Sequence, residues 1–216
     1  MASRPPRVYV LAGVNGAGKS SVGGAAIRGF GGEYFNPDEA ARQILTANPG
    51  LTQSDVNSVA WQQGRRLLEK AIAERLDFAL EATLGGSTIA QLLAAAARGG
   101  IEVHVWYAGL ASAELHIERV RARVRRGGHD IPESDVRRRY RHSRLNLIEL
   151  LPLLTSLRVY DNSAEADLAA GMAPTPLLVL ELQRGAIVSP ADLTRTPEWA
   201  KPIVAAALKE AAKTPW

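Results

Sequence analysis

A chain of 216 residues, 46% of them apolar, can bury a sizeable core, and this composition excludes disorder over most of its length. It has no cysteine, which excludes disulfides, thiolate metal sites and a cysteine nucleophile, and its four histidines show no metal-ligand spacing. The net charge of +4 is uneven: residues 119–144 hold ten arginines against Asp130, Glu133 and Asp135, a basic segment that points to a local anion site.

Residues 7–12 (RVYVLA) are short, apolar and β-branched, and read as a buried strand. A glycine-rich loop follows over 13–20, then a helix from Lys19 to about Arg28. Residues 33–36 suit a second strand. Asn36-Pro37 opens a helix, since proline fits its first turn. Leu68, Ile72 and Leu76 recur at helical spacing and predict a longer helix over 55–76. A third strand over 78–83 ends at Gly85-Gly86, and a helix over 87–98 is closed by Gly99-Gly100. Residues 101–108 form a fourth strand. Ala113, Ile117, Val120 and Val124 give the next helix an apolar face. Gly127-Gly128 end it, and Pro132 opens a helix running to about Leu151. Residues 157–160 make a fifth strand. Residues 177–182 and 186–188 flank Gln183-Arg184-Gly185 as a hairpin or bent edge. A final helix is expected over 198–213. Pro174 and Pro176 mark a weak joint but no linker, so one domain over 1–216 is expected, with an arginine-rich lid region at 119–144. Alternating strands and helices predict an α/β fold, a mostly parallel sheet flanked by helices in three layers. The longest apolar runs fall short of the roughly 18–20 residues that span a bilayer, so a cytoplasmic chain with no membrane partner is the expectation.

Gly13-Val14-Asn15-Gly16-Ala17-Gly18-Lys19-Ser20 matches G-x-x-x-x-G-K-[ST] in full. It follows a predicted strand and opens a predicted helix, the context in which such a loop cradles phosphates through its backbone N–H groups. Gly13, Asn15, Gly16, Ala17, Gly18, Lys19, Ser20 and Ser21 are therefore candidate nucleotide contacts. Lys19 reaches the β- and γ-phosphates, and the Ser20 hydroxyl is the candidate Mg²⁺ ligand. No N-K-x-D motif is present, so a guanine-reading GTPase is not expected. Leu84-Gly85-Gly86-Ser87 is only superficially like a transporter-ATPase signature. The small size and the late basic segment suit a three-layer P-loop NTPase of nucleotide-kinase type, in which an arginine-bearing lid closes over the transferring group.

Asp38 follows the second strand, where a base could face the γ-phosphate; equally, it could only favour the dipole of the helix it opens. Glu81 lies in an apolar run near the end of the third strand. It suits a substrate or Mg²⁺-shell role, or a buried structural pair. Arg119, Arg123 and Arg126 fall at i, i+4 and i+7 and form one stripe ending at the glycine pair. Arg123 and Arg126 are the candidate phosphate clamps, Arg119 the alternative, and the solvated basic face is the bland reading. Arg137, Arg138, Arg139, Arg141 and Arg144 read as mixed surface and salt-bridging residues. His129 follows the hinge and either contacts a phosphate or substrate or caps the loop. His104, His116 and His142 read as structural. Only Tyr140 interleaves the basic patch, so nucleic acid is not the expected partner.

Together with the loop, Asn36-Pro37-Asp38-Glu39-Ala40-Ala41, Glu81-Ala82-Thr83-Leu84, Arg119-Val120 with Arg123-Val124, Gly127-Gly128-His129, Arg138-Arg139-Tyr140 and Tyr160-Asp161-Asn162-Ser163 resemble the zeta toxin-like kinases. The resemblance is strongest to their compact branch, often labelled predicted ABC-type ATPase, and covers about residues 7–163. It implies a kinase that uses ATP and Mg²⁺ to phosphorylate a sugar hydroxyl of UDP-N-acetylglucosamine, with a protein antitoxin as a further partner. It implies Asp38 as catalytic base, Glu81 as the substrate-positioning glutamate, Lys19 as the loop lysine, and Arg123 and Arg126 as clamps. Asn36, Glu81, Thr83, Arg119 and His129 are the candidate substrate contacts. The larger toxins carry an arginine just after the Glu-x-Thr-Leu stretch, where this chain has Gly85-Gly86. Two other readings are a nucleotide, nucleoside or polynucleotide kinase, and a non-catalytic NTP-binding regulatory module.

Overall fold

Strand β1 (Arg7–Ala12) sends alternate side chains to opposite faces of its sheet: Val8, Val10 and Ala12 to the main core, Tyr9 and Leu11 to a smaller cluster behind it. The structure is a computed structural model and describes residues 4–24, 27, 33–164 and 175–213. β1 pairs in parallel with β3 (Phe78–Ala82) on one side and β4 (Glu102–Gly109) on the other. β2 (Glu33–Phe35) extends the sheet beyond β3, and β5 (Ser156–Asp161) beyond β4, both in parallel. The hairpin of β6 (Leu177–Gln183) and β7 (Ala186–Ser189) adds two antiparallel strands, giving the order β2-β3-β1-β4-β5-β6-β7. Arg184 and Gly185, at φ 47° and 81°, make its tight turn. The mostly parallel sheet flanked by helices is thus as expected.

Four helices cover the main face: α2 (Gln53–Ala73), α3 (Ser87–Arg98), α5 (Glu133–Leu150) and α6 (Lys201–Ala211). Leu68, Leu93, Leu147 and Ile203, one from each, are fully buried there with Val8, Val10 and Val105. α1 (Pro37–Ala47) packs on α2, and α4 (Ala113–Val124) packs on α5 through a separate cluster of Val14, Ile117, Val120, Ile131 and Val136. That cluster ties the phosphate-loop residue Val14 to the lid region. At the opposite end of β1, the Asp77 carboxylate accepts from the Arg7 backbone N–H (2.9 Å) and from Arg4 (2.5 and 3.2 Å).

Several boundaries move for local reasons. The capping box between Thr52 and Asp55 starts α2 at Gln53. It ends at Ala73 because Arg75 turns to φ 54°, so Leu76 lies outside the helix and half exposed. The helix expected from Lys19 opens as a wide π-type turn, Ser20–Gly24, and residues 25, 26 and 28 of that expectation lie outside the described residues. A Cβ on Gly23 would sit 2.1 Å from the Trp106 ring, so the bare backbone presses on the second face of the sheet. The final helix begins at Lys201 after the 3₁₀ turn Glu198–Ala200. Pro176 precedes β6, and Pro174 lies outside the described residues. No described helix is long and apolar enough to cross a membrane.

Candidate active site

The chain leaves β1 toward β2 on one side and later crosses to β4 on the other. The carboxyl end of β1 is therefore a topological switch point, where parallel sheets bind ligands. The glycine-rich loop sits there. Gly13 leaves the strand at φ 143°, and a Cβ on it would meet the Ala108 carbonyl oxygen at 2.4 Å. Loop carbonyls that would repel an anion are engaged by donors. The Asn15 carbonyl accepts from His116 Nδ1 (2.9 Å), that of Ala17 from Asn162 Nδ2 (2.9 Å), and that of Gly13 from Lys19 Nζ (3.3 Å). His116 is buried, and burial pushes its pKa down to about 4, so the imidazole is neutral and carries its proton on Nδ1 toward that carbonyl.

Glu81 stands beside the loop, opposite Leu11 in the strand register. It is buried but well partnered. Tyr34 OH donates to Oε1 at 2.6 Å, Asn36 Nδ2 donates to the same oxygen at 3.1 Å, and Lys19 Nζ lies 3.9 Å from Oε2. Asn36 has a second task. Its Oδ1 accepts from the N–H groups of Asp38 and Glu39, capping α1. One asparagine thus fixes both the glutamate and the helix turn that carries Asp38.

Asp38 is half exposed in that first turn. Its Oδ2 accepts from Arg123 Nη1 at 3.2 Å, and its Oδ1 lies 3.8 Å from His129 Nε2. Arg123 Nη2 also donates to the His129 carbonyl at 3.1 Å. A cavity of about 600 Å³ opens between these groups, lined among others by Asn15, Lys19, Asn36, Asp38, Glu81, Thr83 and His129. Trp61, half exposed on α2, forms its outer wall with Asn57 and Arg65.

Not every expected residue converges. Arg126 lies past the end of α4, exposed and away from the cavity lining, because the helix stops at Val124 and the chain turns at Gly127. It does not continue the stripe of Arg119 and Arg123. Arg119 reaches the Ala164 carbonyl at 3.2 Å beside Gly16, outside the cavity lining. Ser20 and Ser21 are exposed at the loop's end. Thr83 lines the cavity and accepts from the Gly85 N–H at 3.2 Å.

Four residues were not singled out as site residues. Arg139 on α5 pairs with Asp135 at 3.5 Å, in keeping with the mixed surface and salt-bridging expectation, but it also donates to Asn15 Oδ1 at 2.8 Å and lines the cavity. Tyr34 fixes Glu81, and His116 and Asn162 brace the loop. For Asn162 the signal was its motif; for His116 it was a histidine inside the apolar face of α4.

Magnesium would find few protein ligands. Among the described residues no three His, Cys, Asp or Glu side chains form a metal-binding group. Ser20 and Glu81 fit an ion that takes one or two protein oxygens and completes its shell with phosphates and water.

A phosphate loop at the carboxyl end of the central strand of a 2-3-1-4-5 parallel core defines the P-loop kinase class of fold. Within that class the chain belongs to the zeta toxin family, whose model matches residues 1–170. An uncharacterized protein of Haemophilus influenzae is 35% identical over 132 residues, 59% of this chain and 88% of that one. A structure of AvrRxo1-ORF1:AvrRxo1-ORF2 with ATP aligns at TM-score 0.66 and 14% identity over 94% of this chain, which spans 64% of that chain's length. One of the PezAT chromosomal toxin–antitoxin system of Streptococcus pneumoniae aligns at TM-score 0.58 and 17% identity, over 99% of this chain and 88% of that one.

Proposed function

We propose that the protein is an ATP-dependent kinase of zeta-toxin type that phosphorylates a hydroxyl of a nucleotide sugar such as UDP-N-acetylglucosamine. The observation that carries this reading is the convergence of Asp38, Glu81 and Arg139 with the phosphate loop on one cavity, with Arg123 bound to Asp38. A nucleotide-binding or regulatory module has no need of the Asp38 carboxylate lining the same cavity as its loop lysine. Trp61 and Asn57 on the outer wall support a planar, polar acceptor.

ATP supplies the γ-phosphoryl group and leaves as ADP; Ser20 would hold a Mg²⁺ ion, which would supply neutralisation of phosphate charge. Asp38 orients the acceptor hydroxyl and takes its proton as the oxygen bonds to phosphorus. Lys19 and Arg139, joined by Arg123 when it leaves Asp38, place fixed positive charge where the transferring group develops negative charge, a contribution worth orders of magnitude in rate. Glu81 holds Lys19 and Asn36 in register.

Nucleic acid fits the basic segment poorly, because Arg121, Arg137 and Arg138 are paired with Glu133, Glu114 and Asp135. A protein antitoxin is the partner we expect, by likeness to the PezAT system.

The test is transfer of label from γ-labelled ATP with Mg²⁺, to UDP-N-acetylglucosamine in one tube and a bacterial metabolite extract in another. Label on the UDP-sugar, lost in Lys19→Ala and Asp38→Asn, supports the full reading. Label only on a component of the extract keeps the kinase and replaces the acceptor. ATP binding without transfer in either tube rejects the kinase.

A further inference from the structure

Two partners converge on the Asp38 carboxylate, and the kinase reading leaves only one of them free to stay. Arg123 Nη1 donates to Oδ2 at 3.2 Å, while His129 Nε2 faces Oδ1 at 3.8 Å. The partners also meet each other: Arg123 Nη2 lies 3.4 Å from His129 Nε2 and donates to the His129 carbonyl at 3.1 Å. The groups come from three segments, α1, α4 and the hinge loop. That loop is folded tightly around the arginine, the Gly128 N–H donating to the Arg123 carbonyl at 3.1 Å.

We propose that His129 is a positioning residue for Asp38, which takes over the carboxylate when Arg123 leaves it for the transferring phosphoryl group. The inference rests on the kinase reading above for its purpose, though not for its geometry. A single guanidinium edge does not serve a carboxylate and a phosphoryl group in different places at once. A carboxylate that loses its bound arginine is free to rotate, and a misplaced base loses rate steeply. His129 is already within a small side-chain rotation of Oδ1.

The imidazole suits this exchange because its neutral form has one N–H and one lone pair. With Arg123 in place, Nε2 faces a donor, which favours the tautomer with the proton on Nδ1. Once Arg123 leaves, the tautomer with Nε2–H donates to Asp38. The ring must stay neutral for both. Asp38 from α1, Arg123 from α4, Arg139 from α5 and the neighbouring Asp130 face it. Burial and the two arginines outweigh the carboxylates and hold its pKa below the ordinary histidine value. Protonation at lower pH would pin Asp38 to an imidazolium and weaken it as a base.

The experiment has an arm that needs no acceptor. In the full chain with ¹⁵N-labelled histidine, the His129 resonance is assigned from His129→Gln. Wild type should show the proton on Nδ1 near neutral pH. Arg123→Gln should move it to Nε2 and raise the titration midpoint, and Asp38→Asn should lower the midpoint. Adding Mg²⁺ with a non-hydrolysable ATP analogue should shift the wild-type tautomer in the same direction as Arg123→Gln. A His129 tautomer and midpoint identical in all these states would overturn the proposal, whether or not the protein is a kinase. In the second arm, with an accepted substrate, His129→Gln should lower kcat about tenfold with the KM for ATP unchanged. The acid limb of the wild-type kcat profile should move to lower pH with it, leaving only that of Asp38 itself. An unchanged kcat and profile would also overturn the proposal. The tautomer shift without transfer to any acceptor would sink the kinase reading and leave the exchange between Arg123 and His129 standing.

Discussion

Glu81 is held by three partners of different kinds: a phenol and an amide donate to it, and an ammonium group lies 3.9 Å away. A buried carboxylate with that many partners is held still. Removing the phenol should therefore loosen Glu81 without expelling it. For Tyr34→Phe we expect a loss of about 1.5–3 kcal/mol of interaction with a charged acceptor, felt at Lys19. Transfer should fall roughly tenfold or more by the same free-energy scale, with helix content unchanged by circular dichroism. Wild-type turnover in the variant would mean that Glu81 has no part in placing Lys19. Asp38, Glu81 and the loop were legible because each sits in a motif at a strand end. Arg139 was not, and the reason is geometric. Arg137, Arg138 and Arg139 are consecutive on a helix and point in three directions. The first pairs with Glu114, the second with Asp135, and only the third reaches Asn15. Residue type carries no information about which of three neighbouring arginines meets the loop. Packing decides it, and Gly85 is part of that packing: a Cβ there would lie 2.5 Å from Arg139 Cγ. Gly85, the first of the glycine pair that departs from the larger toxins, thus makes room for this arginine, while Gly86 has open space around its Cβ direction.

The hinge between α4 and α5 shows how an element reading succeeds in place and misses in detail. Gly127-Gly128 do end the helix, yet they end it early enough to leave Arg126 in solvent and fold the loop onto Arg123. The two glycines answer to different constraints. Gly127 has φ 87° and open space around its Cβ direction, so alanine there meets backbone strain of about 1 kcal/mol and little else. A Cβ on Gly128 would lie 2.7 Å from Arg123 Cγ and 3.1 Å from the Arg123 carbonyl oxygen. Gly128→Ala should displace the arginine stem, cost about 1–3 kcal/mol, and lower transfer more than Gly127→Ala does. Denaturant midpoints and label transfer on the two variants decide the point, and equal effects would mean that Arg123 is not held by the hinge. The strands and helices of the parallel core were legible from glycine, proline and apolar spacing. The π-type turn after the loop was not, because what shapes it is the Trp106 ring, which is distant in sequence.

At the scale of the whole molecule, the phosphate loop is coupled to folding through His116. The ring is enclosed between the Asn15 carbonyl and the edge of Tyr140, with ring centroids 5.6 Å apart. Burial holds its folded-state pKa at about 4, against an ordinary value of 6.5. Between those two values the unfolded chain binds a proton that the folded chain refuses. Stability is therefore flat above about pH 6.5 and falls as pH drops toward 4, where both states are protonated. At pH 5 the loss from this one group is about 2 kcal/mol relative to pH 7.5, from the linkage relation. Half-buried His104, also shifted down by desolvation, adds to it with the same sign. His116→Gln retains a donor for the Asn15 carbonyl but has nothing to titrate. Its urea midpoint should lie below wild type at pH 7.5, where the native ring fits better, and the gap should narrow or reverse at pH 5. ATP affinity at pH 7.5 should weaken in the same variant, because the carbonyl it braces belongs to the loop that receives the phosphates. Parallel losses of stability in the two proteins across this window would show that His116 enters the folded state already able to carry charge. The imidazolium would then still donate to the Asn15 carbonyl, and the shape of the loop would not depend on a neutral ring.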